Sequence, residues 1–247
     1  MVLTSKNNPL IKETAALKDK KGRKETGLFL VEGKKMALEC LKSDLEIERV
    51  FVTENYDGER LFPEEKTVIV SDDVMRHISD EKTPQGIVCR VKIPSFEPIS
   101  PKGKCLFLDG VADPGNVGAI VRTANAAGYK SVYLTDECAD PYSPKSVRAS
   151  MSGVFFTKIY RAPRTKLLSL FDGVPLFVAD MVGQNVFRFQ APDEFVLAIG
   201  NEANGVSEET FSKATDKLSI PMAATQESLN AAVSAAILMY RLSDFNQ

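Results

Sequence analysis

The sequence predicts an α/β fold: a small N-terminal α/β sandwich domain, then a mostly parallel sheet with helices on both faces. Three observations carry this reading. Short apolar runs alternate with amphipathic stretches along most of the chain, the pattern of successive βα units. Runs such as 105–108 and 195–199 are apolar without alternation, as befits strands buried on both faces. The pattern breaks once, where Pro94, Pro98 and Pro101 stiffen a spacer that neither a helix nor a central strand accommodates. The expected division is therefore residues 1–93, a linker at 94–103, and a second domain at 104–247.

Taken in order, Thr4 and Ser5 are N-cap candidates for a first helix carrying Leu10, Ile11, Ala15 and Leu17, ending in a basic run near Gly22. Residues 28–32 read as a strand, and Gly33 opens a helix with Met36, Ala37, Cys40 and Leu41 on one side. Strands follow at 49–53 and 67–71, a short helix starts at Asp72, and the alternating run 85–93 closes the unit. Beyond the spacer, strand 105–108 turns through Asp109-Gly110 and Asp113-Pro114-Gly115 into a helix from Asn116, with Gly128 as its C-cap. Residues 131–135 form a strand, and Ser143 caps a helix with Pro144 at its first position. A strand at 154–160, a short helix at 166–171 and strands at 175–179, 195–199 and 217–220 follow. The last helix, 229–242, has a mostly small core side (Ala232, Val233, Ala236, Ile237, Tyr240), which suits close packing.

Composition narrows the chemistry. The 247 residues are 44% hydrophobic and 26% charged, with a net charge of −2. No apolar run approaches the ~18 residues that span a membrane, and the N-terminal residues lack the apolar stretch of a signal peptide. The four cysteines, Cys40, Cys89, Cys105 and Cys138, are scattered without a C-x-x-C pair, so neither a metal site nor a disulfide framework is expected and a reducing cytoplasm is the natural setting. His77 is the sole histidine and lies in a polar stretch, which argues against an imidazole general base. The acidic balance does not announce a nucleic-acid binder, but Lys18, Lys20, Lys21, Arg23 and Lys24 cluster within seven residues. Such a cluster can track a phosphate backbone or simply solvate a helix end.

Three segments in the second half carry chemical content. The loop after strand 105–108 places backbone N–H groups at a helix start, where phosphates and other ligands settle in open α/β sheets, with Asn116 and Arg122 on that helix. It contains neither G-x-G-x-x-G nor a P-loop, and a plain strand–helix connection accounts for it equally well. In the second segment, a strand ends in Gly200-Asn201-Glu202 with Gly205 beyond, so a carboxylate lies beside backbone amides. The alternative there is an Asn-Glu turn capping a helix from Ser207. In the third, residues 219–230, Ser228 is a possible N-cap of the last helix.

Together these segments resemble the SpoU (TrmH-like) family of RNA ribose 2′-O-methyltransferases. The resemblance runs through D-G-V-A-D-P-G-N-V-G-A-I-V-R-T-A, then G-N-E-A-N-G-V-S, then I-P-M-A-A-T-Q-E-S-L-N-A-A-V-S-A-A-I-L. The segment from Ser143 to Met151 is similar to the family's connecting segment, and Phe29-Leu-Val-Glu-Gly33 resembles the start of a ribosomal-protein-like substrate domain found in many members. The resemblance implies a deep C-terminal trefoil knot, an exception to the usual absence of knots. It implies S-adenosylmethionine bound in that knot, contacted by Ile199, Gly200, Asn201, Gly205, Ile220, Met222 and Leu229. It implies catalytic roles for Arg122, Asn116, Glu202, Ser228 and Asn230, and a homodimer through the knotted domain. The substrate would be structured RNA, ribosomal in preference to transfer RNA, gripped through Lys18, Lys20, Lys21, Arg23, Lys24 and Arg148; no metal or membrane would take part. Ala203 and Ala224 stand where the family usually has glycine, so a positive φ or a close approach to the adenine at either would weaken cofactor binding. The rival reading within the fold is a catalytically silent RNA-binding paralogue.

Overall fold

The computed structural model describes residues 2–58, 62–225 and 228–243. Its first sheet contains β1 (Val2–Leu3), β2 (Leu28–Glu32), β3 (Ile47–Thr53), β4 (Thr67–Val70) and β5 (Ile87–Lys92), in the order β1-β4-β3-β5-β2. β4 runs parallel to β1 and β3, whereas β5 is antiparallel to β3 and β2. Strand alternation sends side chains to two cores. Leu28, Leu30 and Phe51 pack with α1 (Pro9–Ala16) and α4 (Asp72–Ile78), while Phe29, Val31, Val50 and Val52 pack with α3 (Lys34–Leu41).

The second sheet is built of β6 (Lys104–Asp109), β7 (Ser131–Leu134), β8 (Lys158–Arg161), β9 (Leu176–Asn185), β10 (Phe195–Gly200) and β11 (Asp216–Ser219), in the order β11-β9-β10-β6-β7-β8. Every ladder in it is parallel. One face carries α8 (Arg164–Leu170) and α9 (Glu208–Ser212), against Phe107, Tyr133 and Val196. The other carries α5 (Pro114–Ala126) and α10 (Ala231–Leu242), against Leu106, Leu108, Leu197 and Ile199. This second core is continuous with the Phe29 side of the first sheet, where the Phe29 and Tyr142 rings lie 5.0 Å apart. From β6 the chain winds out to β7 and β8 and then returns beyond β10. The crevice between the carboxyl ends of β6 and β10 is therefore the point of reversal at which such sheets bind ligands. Among the described residues no helix is long and apolar enough to cross a membrane.

Several expected elements are corrected. The first helix is capped by Asn8, whose side chain accepts from Leu10 N with Pro9 at the first position, rather than by Thr4 or Ser5. The basic run is its own helix, α2 (Lys20–Thr26), closed by Gly27 at φ +68. The helix expected from Asn116 begins at Pro114, capped by Asp113. Residues 154–156 are helical rather than extended, in the short helix α7 (Gly153–Phe156), which follows α6 (Pro144–Ser150). Gly153 starts α7 because a Cβ there would lie 2.8 Å from the Arg122 Cα, so only glycine lets this turn close on α5. The last helix is rotated from the expected face. Ala231, Ala235, Leu238, Met239 and Leu242 are buried, while Val233 and Tyr240 are 48% and 49% exposed.

Candidate active site

The first site element is the turn from β6 into α5. Asp113 accepts from Asn116 N at 2.9 Å as the helix cap and pairs with Lys145 at 2.7 Å, which fixes Asn116 in the first helical turn. The Asn116 amide donates to Glu202 Oε1 at 2.7 Å. Asn230 donates through Nδ2 to Asn116 Oδ1 at 3.0 Å, while its own Oδ1 caps α10 by accepting from Ala232 N and Val233 N. Asn230, Asn116 and Glu202 thus form one hydrogen-bonded chain that joins the three motifs. The cap of the last helix is Asn230, not Ser228, and the helix after Glu202 is capped by Ser207, leaving Glu202 for Asn116.

The second element is the bend after β10. Asn201 and Gly205 exchange backbone hydrogen bonds of 2.8 and 2.9 Å, with Gly205 at φ +68. A Cβ on Gly200 would collide with the carbonyl carbon of Gly205, so the tight return requires glycine. Asn201 donates to Gly110 O at 2.9 Å and accepts from Ala203 N at 2.9 Å. Below it, the buried Asp109 carboxylate accepts from Ser207 N, Ser207 Oγ, Thr210 Oγ1 and Arg164 Nε at 2.7–2.8 Å. Burial works against ionisation of Asp109, but the bonds from Ser207, Thr210 and Arg164 outweigh it and hold the carboxyl below its usual range.

The second element borders a cavity of about 460 Å³, in the range of small-molecule sites. Ile199, Gly200, Asn201, Gly205, Ile220, Met222 and Leu229, the residues expected to bind cofactor, all line it, as do Glu202 and Ser228. Gln226 and Glu227 of the same segment lie outside the described residues. Ala203 and Ala224 do not adopt positive φ; Met151 is the non-glycine residue that does among the described residues. The alanines therefore introduce no left-handed strain. The wall also includes Asp180, Asn204 and Ser234, which the sequence reading missed. Asp180 sits one residue past the expected end of its strand, beside β10, so the rule that ligands collect at carboxyl strand ends was the signal for it.

Arg122 is not brought to this cluster. It is exposed on α5 and makes no hydrogen bond or ion pair among the described residues. Six positions from Asn116, about one and two-thirds turns at 3.6 residues per turn, it leaves the helix on another side. The expected RNA contacts are also corrected in part. Arg23 is 4% exposed and donates to Asp140, Leu17 O and Lys18 O. Lys18 is half-buried and bonded to His77 O at 2.7 Å, and Arg148 is paired with Asp80 and Glu81 at 2.7 and 3.3 Å. Lys20, Lys21 and Lys24 remain exposed.

Comparison with known proteins follows the same geography. The SpoU rRNA Methylase family profile matches residues 103–240, and an MRM3-like substrate binding domain profile matches residues 8–89. The chain is similar to the 23S rRNA (guanosine(2553)-2'-O)-methyltransferase RlmP of Bacillus subtilis (strain 168), at 32% identity over 97% of this chain and 98% of that protein. Among solved structures, it is similar to a putative RNA methyltransferase of the TrmH family from Porphyromonas gingivalis, with a TM-score of 0.87, 31% identity and 96% and 97% of the two chains covered. A second is the AdoMet-bound rRNA methyltransferase from Sinorhizobium meliloti, with a TM-score of 0.87, 29% identity and coverage of 98% and 97%. A family profile spanning more than half of the sequence, with a relative matched nearly end to end, places the chain in the SpoU rRNA Methylase family.

Proposed function

We propose that this protein transfers a methyl group from S-adenosylmethionine to a ribose 2′-hydroxyl of structured ribosomal RNA. The observation that carries the reading is the chain Asn230–Asn116–Glu202, which ties three separated motifs to the rim of one cavity. The relative from Bacillus subtilis is named for 2'-O-methylation of 23S rRNA, and the neighbour from Sinorhizobium meliloti holds AdoMet, which supports the substrate and the donor. The cavity fits that donor. Its wall combines a backbone bend that excludes side chains at Gly200, apolar Ile199, Leu218 and Ile220, and the carboxylates Asp180 and Glu202, without Lys, Arg or His among the described lining residues. A compound carrying a sulfonium and an ammonium against one carboxylate suits such a wall.

When bound, S-adenosylmethionine supplies an electrophilic methyl group that needs no further activation. The protein's work is positioning and the management of charge. Ile199, Gly200, Asn201, Gly205, Ile220, Met222 and Leu229 would hold the donor, largely through backbone and apolar surface. Glu202, fixed by Asn116, would orient the nucleotide, with Ser228 and Asn230 ordering the adjoining loop. A guanidinium with a pKa above ~12 is a poor base, so Arg122 would bind the neighbouring phosphate and stabilise negative charge developing on the ribose oxygen.

Because Arg122 stands apart from the Asn116 chain, the proposal includes a homodimer in which a second copy contributes to each site. Its support is the exposed apolar surface on elements packed around α5: Met151, Phe156, Val233 and Tyr240. A knotted C-terminus, with the last segment threaded beside β10, belongs to the same reading, as do a substrate domain at 1–93, a linker at 94–103, a catalytic domain at 104–247 and a cytoplasmic setting. The test is Arg122→Lys. S-adenosylmethionine binding by calorimetry should be unchanged while methyl transfer falls about 100-fold or more. Wild-type turnover in the variant would remove Arg122 from the mechanism. Mapping 2′-O-methyl sites in RNA from cells with and without this chain would identify the target, and no lost site would refute the activity.

A further inference from the structure

Part of the cavity wall is an irregular piece of β9, the strand beside β10. On its inner side, β9 pairs with β10 through Leu176, Phe177 and Val178 alone. On its outer side, β11 matches Lys217 with Val178 but the next residue, Leu218, with Gln184. Residues 179–183 therefore step out of the ladder between two consecutive residues of the neighbouring strand. The excursion is shaped rather than slack. Asp180 Oδ1 accepts from Val182 N at 2.6 Å, and a Cβ on Gly183 would lie 2.5 Å from Lys217 O, so the chain re-enters the ladder in close backbone contact. Met181 and Val182 are 69% and 82% exposed, while Ala179, Asp180 and Met181 border the cavity.

The bulge thus presents a carboxylate to a space with no cationic side chain in its described lining. The other carboxylate there, Glu202, is already engaged by Asn116, whereas Asp180 Oδ2 has no protein partner among the described residues. Resting on the reading of this cavity as the methyl-donor site, we infer that Asp180 selects the sulfonium-bearing donor over its demethylated product. The donor carries one more positive charge than the thioether that remains after transfer, and the two are otherwise nearly the same shape. Apolar contacts and hydrogen bonds to the adenosine therefore cannot separate them. A fixed negative charge near the sulfur does, because it attracts the sulfonium and finds no charge on the thioether. A bulge is a suitable device, since leaving the ladder re-aims a side chain beside a site.

The test is calorimetric titration of wild type and Asp180→Asn with S-adenosylmethionine and S-adenosylhomocysteine. Asparagine keeps the Oδ1 acceptor for Val182 N, so the turn is retained; Asp180→Ser, which also accepts locally, serves as a second variant. Both variants should lose about tenfold in affinity for S-adenosylmethionine while S-adenosylhomocysteine binding stays unchanged. Raising salt should narrow the difference in wild type and not in the variants. Equal weakening of both ligands would overturn the inference and assign Asp180 to the parts they share, such as the ribose diol. No change in either would also overturn it. Failure of wild type to bind either ligand would instead refute the assignment of the cavity itself.

Discussion

Asp109 and Asn116 occupy the same turn region of the chain, yet they answer to different demands. Asp109 is fully buried and accepts four hydrogen bonds, one of them from Arg164, and it anchors Ser207 and Thr210 below the bend that walls the cavity. Its folded-state carboxyl lies below the usual value of 3.8. The ionised form is therefore favoured by folding, and its stabilisation is complete above the unfolded value and lost as pH falls through the folded one. Asp109→Asn should lower stability by about 2–3 kcal/mol at neutral pH, the worth of charged hydrogen bonds at a buried site. The gap to wild type should close below about pH 3.8 as the native carboxyl protonates. Urea unfolding of both proteins at the two pH values measures this, and equal stability at neutral pH would show that Ser207 and Thr210 hold the bend unaided. Asn116, Glu202 and Asn230 were named in the sequence through the resemblance of their motifs to the SpoU family. Asp109 was legible only as a turn residue, since its partners Arg164, Ser207 and Thr210 lie far along the chain. Arg23 shows the opposite failure: its place in the basic run suggested a phosphate contact or a solvated helix end, but three acceptors inside the fold claim it.

The elements depend on close backbone approach more than on propensity. Gly118 lies inside α5, where glycine costs about 1 kcal/mol relative to alanine. A Cβ there would collide with the carbonyl oxygen of Ser146 and lie 2.7 Å from Ala149 Cβ, so glycine allows α6 to seat against α5. Two effects of opposite sign compete in Gly118→Ala, and the collision prevails because the opposing atom is backbone and has no rotamer to yield. The variant should lose about 1–3 kcal/mol, read as a lower midpoint in thermal unfolding; an unchanged or raised midpoint would mean that α6 shifts without cost. The same kind of contact explains where pattern reading failed. Val154, Phe155 and Phe156 have strand-like composition, but Gly153 lets that stretch close one helical turn on the Arg122 backbone. β1 spans two residues, too few for any periodicity to register. The last helix is apolar on most sides, so its period did not decide which face turns inward. The uninterrupted apolar runs at 28–31, 105–108 and 195–199 were reliable because burial on both faces dictates them directly.

At the scale of the molecule, the basic run near the N-terminus serves two purposes that sequence composition merges. Arg23 faces inward and pairs with Asp140 at 2.8 Å, close to the Phe29–Tyr142 contact, so it fastens the first sheet's helices to the second half. Arg148 does the same from the other side through Asp80 and Glu81, where Glu32 accepts from Ser79 and from the Asp80 and Glu81 amides. Lys20, Lys21 and Lys24 face solvent on α2; the Lys21–Glu25 pair, at 3.8 Å and largely exposed, holds little energy. The two groups should therefore separate by experiment. Arg23→Ala leaves Asp140 largely buried without its cation and should cost about 3 kcal/mol or more in stability. Replacing Lys20, Lys21 and Lys24 together by alanine should leave the unfolding midpoint within experimental scatter. RNA affinity should fall in that triple variant, and the slope of log affinity against log salt should drop by up to about 2–3, since each phosphate contact contributes roughly 0.7–0.9. An unchanged slope would assign the three lysines to solvation alone.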